Sequence, residues 1–454
     1  MHFKIKSTLL SAFCVVGLLK GQNVQNLSLQ SAVALAMENK PALKSLDLDA
    51  QISAARVAEI KLKKQLQVSG KADIQINPLL PASVIPIGAF NPTAPSEATT
   101  TVRFGTLWQN TVGLNASQTL YDPSISAQIR EQAFQTQILE AQRAQTAVDI
   151  QVAVTRAYYG VLISAEEIQF ALQDSTRSQV FLNEVKNRKE GGKSLQTDVN
   201  QAQINLNAAT LKLAQLRLNQ ALLRKSLLYQ MGLNPDRYAE IQLSENLKTL
   251  LQQPENISNG VDGGFSIIEQ NRLEIKQLQL DNTLQGLKIS TEKTRTAPKL
   301  TANAFIGANN FSDDIPFVTK NAWFGNGYVS LNLAVPISEY WQMKKHLPQY
   351  ELKQLQNAQK TADLTQQYRN EYEQARTNLQ GARLALDTRE RDLALVRENL
   401  DLYKIRFSEG VLLASAVTDA EQALQQTQYN YLKSAYDALV AALEMRKATG
   451  EIKP

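Results

Sequence analysis

Residues 188–206 read RKEGGKSLQTDVNQAQINL, and residues 406–424 read RFSEGVLLASAVTDAEQAL, the same pattern at a constant offset of 218. Apolar residues at helical spacing precede and follow both stretches. A glycine between two antiparallel helices tolerates the positive φ that reversal of the chain requires. We therefore interpret Gly192 and Gly410 as the tips of two helical hairpins.

The first stretch also resembles the end of a phosphate-binding loop, because residues 191–194 are Gly-Gly-Lys-Ser. Such a loop needs a further glycine five residues before the Gly-Lys pair, where this chain has Asn187, and it must follow a buried strand. The residues before 188 show helical periodicity instead. The sequence therefore predicts no nucleotide site here.

The repeat extends through much of the chain. Residues 39–46 match residues 271–278 at an offset of 232, and residues 112–121 match residues 329–338 at an offset of 217. The change of offset places a longer, Pro-rich insert between the two strand-like runs of the first copy, and its prolines predict a loop. The predicted organisation is a first repeat at 22–232, an insert at 233–266 that breaks the helical pattern, and a second repeat at 267–454.

Four runs alternate apolar and polar residues with a period of two, at 68–77, 112–121, 300–309 and 329–338. Alternation over about ten residues is typical of a tilted strand in an outer membrane, and also of a soluble sandwich with one buried face. Four strands are too few to close a barrel, since the smallest membrane barrels use about eight, and lipid does not tolerate open sheet edges. Membrane strands would therefore require several chains to share one barrel.

Aromatic residues cluster near the ends of these runs, as they do at membrane–water interfaces. The predicted girdle residues are Trp108, Tyr121, Trp323, Tyr328 and Tyr340.

The longest helical patterns cover 123–189 and 339–407, on the order of 100 Å each, and return runs cover 195–231 and 412–449. Helices of this length cannot lie within one globular domain. The predicted fold class is therefore mainly α, with long hairpin helices, four strands per chain and two internal repeats.

Both return runs carry apolar stripes at the spacing of packed helices. The first stripe contains Ile204, Leu211 and Leu218, and the second contains Leu424 and Tyr431. Each stripe predicts side-by-side packing against another helix, with polar residues on the opposite face.

Residues 1–21 have the layout of a secretory signal peptide, with two lysines before an apolar run. Beyond them, no apolar run reaches the 18 or so residues of a spanning helix. Removal of this segment removes the only cysteine, Cys14, leaves His346 as the only histidine and lowers the formal charge from +5 to about +2. The sequence therefore predicts no cofactor, no metal site and no enzyme activity, and the slight positive charge gives no reason to expect nucleic acid.

The stretch LSLQSAVALAMENKPALKSLDLDAQISAARVAEIKLKKQL at 27–66 resembles the N-terminal signature of TolC-like outer-membrane efflux channels, with Glu-Asn-x-Pro before spaced alanines. The tip stretches are similar to the family's pattern of a glycine, a six-residue step and Asp-Val-x-x-Ala. This resemblance covers essentially the whole chain after residue 21. It implies a homotrimer with a twelve-stranded transmembrane β-barrel in the outer membrane, continued into the periplasm by a helical tunnel with the 233–266 insert as an outer, equatorial belt. It also implies docking to a periplasmic adaptor protein and an inner-membrane pump or transporter, for passive export.

The resemblance further implies roles for residues near the tips. The family's pore-constricting acids stand six and nine residues after the tip glycine, and those positions here hold Asp198 in the first copy and Ala416 and Asp419 in the second. One acid of the second pair is therefore missing, and Phe407 stands where the family often has a tyrosine of the closing network. The implied pore constriction is Asp198, Asp419 and Phe407. The implied adaptor contact is Gly192, Lys193, Gly410, Val411 and Leu412.

Two other interpretations remain open from the residues alone. The chain could be an exported periplasmic coiled-coil scaffold or adaptor without a membrane pore, which would need no detergent for extraction. Either carboxylate near the tips could also be an ordinary charge at the start of a helix, where the macrodipole favours it.

Overall fold

The computed structural model describes residues 26–87, 93, 95, 99–235, 242–252, 272–314 and 323–453. The predicted signal peptide lies outside these residues, as does most of the predicted insert. The chain divides into two compact units. The helical unit comprises Met1–Ser45, Arg143–Leu273 and Leu364–Pro454, and the sheet unit comprises Leu46–Gln142 and Glu274–Asp363.

Helices make up most of the described chain, and their bounds agree closely with the periodic segments of the sequence. They are α1 (Leu29–Asn39), α2 (Pro41–Leu62), α3 (Pro123–Glu190), α4 (Gln196–Gln230), α5 (Leu247–Gln252), α6 (Leu273–Arg295), α7 (Ile337–Ser408) and α8 (Ala414–Ala448). Asp122 defines the start of α3, because its Oδ1 accepts a 2.9 Å hydrogen bond from Ser124 N–H and Pro123 occupies the first helical position. Among the described helices, none contains an apolar stretch sufficient to span a membrane.

The strands are β1 (Gln67–Ile76), β2 (Ala82–Pro86), β3 (Thr99–Arg103), β4 (Trp108–Tyr121), β5 (Lys299–Ser312) and β6 (Trp323–Ala334). The four strands expected from the alternating runs form one antiparallel sheet in the order β1-β4-β5-β6. Its centre joins the two halves of the sequence, because β4 pairs with β5. Its two edges, β1 and β6, have no further strand partner among the described residues.

The pairing register places the predicted apolar positions of all four strands on one face. A row across this face runs Val68, Ala116, Ala304, Val329, and the next runs Gly70, Leu114, Ile306, Gly327. The opposite face carries polar rows such as Gln67, Ser117, Asn303, Ser330. Since the apolar face is largely exposed, with Val329 at 83% and Ile306 at 70%, the described chain does not bury it.

The Pro-rich segment predicted as a loop contains a two-stranded antiparallel ribbon, β2 with β3, and that prediction was wrong for this part. The ribbon tolerates proline because both of its strands are edge strands. Pro86, which lacks an N–H, is the last residue of β2 and pairs with Thr99. The alternation in these five-residue strands was too short to reveal them.

The core of the helical unit lies among α1, α3, α4, α7 and α8. Tyr158 is fully buried, and its hydroxyl donates a 3.0 Å hydrogen bond to Leu27 O. Leu27 itself forms a parallel bridge with Leu243. The largest buried aliphatic residues around this centre include Leu182, Leu227, Leu432 and Leu439. Burial of each such side chain stabilises the unit by about 1.5–3 kcal/mol before entropy is considered.

Candidate functional site

The two hairpin tips close with the same backbone geometry. Gly192 has a φ of +72°, and the N–H groups of residues 192 and 193 donate to the last turn of α3 at 2.9 and 2.8 Å. Gly410 has a φ of +82°, and residues 410 and 411 donate to the last turn of α7 at 2.9 Å each. These bonds satisfy the last carbonyls of the two long helices, and the left-handed φ explains the glycines.

Asp198 lies in the first turn of α4, where its carboxylate has a partner. Its Oδ2 accepts a 2.9 Å hydrogen bond from Leu195 N–H, the backbone group just before the helix. A carboxylate here satisfies an otherwise unpaired donor and interacts favourably with the positive end of the helix. The structure thus places Asp198 at the tip, half-buried, as a helix cap. The corresponding position of α8 is Ala416, which has no side chain for this bond.

Asp419 is exposed on α8. It borders a cleft of about 370 Å³ between α7 and α8, whose wall also contains Tyr403 and Ala416. Its carboxylate is therefore accessible near the second tip.

Phe407 does not line an open surface of the single chain, and its role at the constriction of an assembly stays a prediction. Its side chain is only 3% exposed. The ring packs against Phe181 of α3, with the ring centroids 5.4 Å apart. Because the residue before the second tip is aromatic and apolar, it joins the core between the hairpins instead of pointing into water.

Arg188 joins the two hairpins near their tips, a role that no sequence pattern indicated. Its guanidinium lies 4.3 Å from the Phe407 ring centroid and donates to Phe407 O. Glu184, one turn earlier on α3, lies 3.8 Å from the same guanidinium. The contact combines a charge-assisted hydrogen bond with a cation–π interaction. No charge pattern could have revealed it, because the acceptor on α7 is a backbone carbonyl.

The residues predicted as the adaptor contact differ in exposure. Lys193 is exposed and Val411 is 70% exposed, whereas Leu412 is half-buried against the core. Two tip residues that were not predicted, Leu195 and Leu413, are 70% and 77% exposed. The tips therefore present aliphatic side chains to solvent, which is typical of surfaces that contact another protein.

In the sheet unit, aromatic residues lie at both ends of the sheet. Trp108 pairs with Ile76 at the end where Trp323 begins β6, and both tryptophans fall on the apolar face. Tyr121 ends β4 at the other end of the sheet, and Tyr340, in the first turn of α7, follows β6 by six residues.

Tyr328 was predicted as a girdle residue at a strand end, and its position corrects that prediction. It lies in the middle of β6 on the polar face, opposite Phe305, with the two ring centroids 5.7 Å apart. The Phe305 ring covers Gly113 and Gly307, where an added Cβ would lie within 2.7 Å of it. The aromatic pair therefore fills space over glycines in the sheet.

An exposed apolar sheet face between aromatic ends, with long helical hairpins, is the arrangement of an outer-membrane efflux channel. A family model described as outer membrane efflux protein matches residues 88–232 and 265–451. The chain belongs to this family, which is a family of transport channels of tripartite efflux systems and not of enzymes.

Individual relatives agree with this assignment. The chain is 22% identical over 343 residues to outer membrane protein TolC of Vibrio cholerae, covering 75% of this chain and 76% of that protein. The structure of CusC, reported in connection with transmembrane channel formation, matches with a TM-score of 0.71 and 17% identity over 93% of this chain and 91% of CusC. The open state of the Neisseria gonorrhoeae MtrE outer membrane channel matches with a TM-score of 0.68 and 15% identity over 93% of this chain and 88% of MtrE. Both structures share the fold of this chain.

Proposed function

We propose that three copies of this chain form one export duct in the outer membrane, with their strands in a common barrel and their helical hairpins in a periplasmic tunnel. The observation that carries this proposal is the sheet, which has an exposed apolar face and, within the described part of the chain, two edges without a strand partner. Lipid solvates an apolar face but cannot hydrogen-bond to an open edge. Pairing of β6 from one copy with β1 of the next satisfies both edges, and three copies supply twelve strands.

The helical unit supports the same assembly. On α4, Ile204, Leu211 and Leu218 are 58%, 60% and 70% exposed at a spacing of seven residues. Beside this stripe, an open groove between α3 and α4 is lined by Val180, Leu206 and Leu211 among others. Seven-residue apolar spacing is the pattern of a helix that packs along another helix, so a neighbouring copy fits this surface.

The hairpin tips are proposed as the periplasmic aperture. Asp198 and Asp419 would each form a ring of three carboxylates in a trimer, and such rings favour cations. Phe407 would act indirectly, because its packing with Arg188 holds the two hairpins of a chain together. The exposed tip residues Lys193, Val411, Leu195 and Leu413, with the turns at Gly192 and Gly410, would contact a periplasmic adaptor protein, which couples the duct to an inner-membrane pump.

The duplicated sequence fits this duct as two structural repeats, 22–232 and 267–454, that each supply two strands and one hairpin. The segment 1–21 would direct export, and 233–266 would lie outside the tunnel. Trp108, Tyr121, Trp323 and Tyr340 would then mark the two membrane interfaces.

Cysteine cross-linking tests the closed sheet directly. Asp73→Cys on β1 is combined in turn with Phe324→Cys, Asn326→Cys and Ser330→Cys on β6, in a Cys14→Ser background. At least one combination should give covalent trimers on oxidation of the membrane-embedded protein. Asn115→Cys on the central strand β4, combined with Asn326→Cys, is the control and should give none. Absence of any species above monomer from all three combinations would count against the shared barrel.

Planar-bilayer conductance tests the aperture. Arg188→Ala should increase the open fraction, because it removes the bond between the hairpins, and Asp198→Ala and Asp419→Ala should reduce cation preference. Glu398→Gln, at an exposed acid on α7, is the control. If cation preference is unchanged in the double variant of Asp198 and Asp419, these acids do not determine the ion selectivity of the aperture.

A further inference from the structure

A cavity with several charged residues in its wall lies within the helical unit, among residues that the proposed duct does not use. It has a volume of about 350 Å³ and opens between α3, α4 and α8. Its wall contains three carboxylates, from Glu167, Asp174 and Glu421, and one ammonium group, from Lys212. The volume is that of a small-molecule site, and three of the four charged groups on its wall are acidic.

Two of these carboxylates are deeply buried. Asp174 and Glu421 are each 8% exposed. Their basic partners do not line the cavity: Arg177 contacts Asp174 from its own helix, and Lys404 Nζ of α7 lies 3.0 Å from Glu421 Oε1. An ionised carboxylate has about four acceptor sites, so both groups keep capacity for a further donor.

A buried amide on the same wall has a donor to offer. Gln428 is 3% exposed, and its Nε2 makes no hydrogen bond of regular geometry within the described part of the chain, although the amide lies close enough to the Asp174 carboxylate to lower the pKa of that group. Unpaired buried donors are uncommon in folded proteins because they lose their hydrogen bonds to water. An occupant that carries an oxygen acceptor would restore this bond.

The remaining wall is partly aromatic. Phe170 and Tyr429 both line the cavity, and Tyr429, at 53% exposure, lies where the cavity meets solvent. Aromatic faces attract cations and pack against planar rings. The wall thus combines acidic, aromatic and hydrogen-bond-donating groups.

We propose that this cavity binds a small protonated aromatic amine that also carries a hydroxyl or carbonyl oxygen. The ammonium group binds between Asp174 and Glu421, the oxygen accepts from Gln428, and the ring packs against Phe170 or Tyr429. All of these residues belong to one chain, so the site does not depend on the proposed trimer.

The charges on the surrounding helices set the pH dependence of this site. Burial raises the pKa of Asp174 to about 6, with Arg177 opposing the shift and Glu421 adding to it. Burial also raises the pKa of Glu167, against the effect of Lys212 on α4. Because Asp174 carries its charge only above about pH 6, the cation should bind more weakly as the pH falls through that value.

Calorimetric titration of the detergent-purified full chain at about pH 7.5 tests the proposal. The probe is 2-amino-1-phenylethanol, compared with 1-phenylethane-1,2-diol, which lacks the amine, and phenethylamine, which lacks the hydroxyl. The proposal predicts tightest binding of the amino alcohol, weaker binding of phenethylamine by about fivefold, and binding of the diol weaker by about tenfold or more. Equal binding of the diol, or no binding of the amino alcohol at millimolar concentration, would overturn it.

Substitutions separate the two contacts. Glu421→Gln and Asp174→Asn should each weaken amine binding about tenfold. Gln425→Glu adds an acid at the exposed rim of the cavity and should strengthen amine binding. This third variant still tests the proposal if the first two fold poorly. Gln428→Leu should abolish the preference for the amino alcohol over phenethylamine while retaining the preference for amine over diol. Glu398→Gln, outside the cavity, should bind as the unchanged protein does. If neither Gln425→Glu nor Glu421→Gln changes binding of the amino alcohol, the carboxylates do not hold the probe.

Discussion

The return helices of the two hairpins, α4 and α8, have equal lengths and follow equivalent glycine tips, but the chain buries them very differently. Each contains 35 residues, of which α8 buries sixteen and α4 six. The apolar stripe of α8, represented by Leu424 and Tyr431, is 2% and 8% exposed, whereas Leu211 and Leu218 of the α4 stripe are 60% and 70% exposed. Similar sequence patterns therefore have different outcomes: the α8 stripe is buried within its own chain, and the α4 stripe stays exposed.

This difference is the reason for proposing that one copy packs against others. Exposed aliphatic residues at helical spacing are unfavourable in water and favourable against another helix. In the sheet unit, the edges β1 and β6, which have no strand partner among the described residues, support the same proposal. The two helices should therefore respond differently to substitution, and most strongly at the buried positions of α8.

Truncation of a buried side chain on α8 should cause the largest loss of folding stability. Leu432→Ala on α8 removes a side chain that is 2% exposed, and the resulting cavity should cost about 2–5 kcal/mol. Thermal unfolding followed by circular dichroism should show a lower midpoint than for Gln426→Ala, an exposed control on the same helix. Equal unfolding midpoints for the two variants would mean that Leu432 does not belong to the core.

A charge on the exposed stripe should affect assembly and leave the fold intact. Leu211→Glu on α4 should weaken association of copies by tenfold or more, because it places a carboxylate in the proposed contact between helices. Sedimentation velocity in detergent should detect the smaller species, with unchanged helical content. Gln201→Glu, a nearby exposed position, is the matched control. If Leu211→Glu sediments as the control does, the stripe does not face a neighbouring copy.

Acid should stabilise the contact between α3 and α8. The pKa of Asp174 is raised by burial to about 6, so the folded chain holds this proton more tightly than the unfolded chain. The stabilisation is complete below the unfolded pKa of about 4 and is lost as the pH rises through about 6. Asp174→Asn should therefore be more stable than the unchanged protein at about pH 7.5, on the order of 1 kcal/mol, and the difference should vanish near pH 4. Thermal unfolding midpoints of both proteins should be measured from about pH 4 to pH 7.5. If Asp174→Asn is less stable at every pH, burial of the Asp174 charge does not destabilise the folded chain.

The caps of the two return helices should give the smallest effect. Asp198→Ala removes the hydrogen bond to Leu195 N–H and should destabilise the first turn of α4 by about 0.5–1 kcal/mol. Ala416→Asp introduces the equivalent carboxylate into α8 and should stabilise it by a few tenths of a kcal/mol. Amide hydrogen exchange in the first turn of each helix should change in opposite directions. Unchanged amide exchange after Asp198→Ala would show that the Asp198 cap does not stabilise the first turn of α4.

The regular features of the molecule were predictable because they repeat locally. Helical and alternating periods predicted the long helices and the four-stranded sheet, and the tip glycines predicted the reversals. The irregular features depend on contacts between distant residues. Arg188 bonds to a backbone carbonyl, Phe407 packs against Phe181, and Tyr328 stacks on Phe305, and no local pattern encodes these partners.

The sequence did not predict that the α4 stripe is exposed. The sequence predicted packing for both stripes, but whether the partner belongs to the same chain depends on which helix faces are already occupied. That property exists only in the assembled unit, where α8 occupies the interior and leaves the α4 stripe uncovered.

Native mass spectrometry of the detergent-extracted protein measures directly how many copies the folded assembly contains. If neighbouring copies complete the sheet and cover the α4 stripe, the folded protein should appear as a trimer that survives removal of the detergent micelle. A folded monomer that remains dispersed in plain buffer would contradict the account, because the open sheet edges and the exposed aliphatic surfaces would then need no other copy.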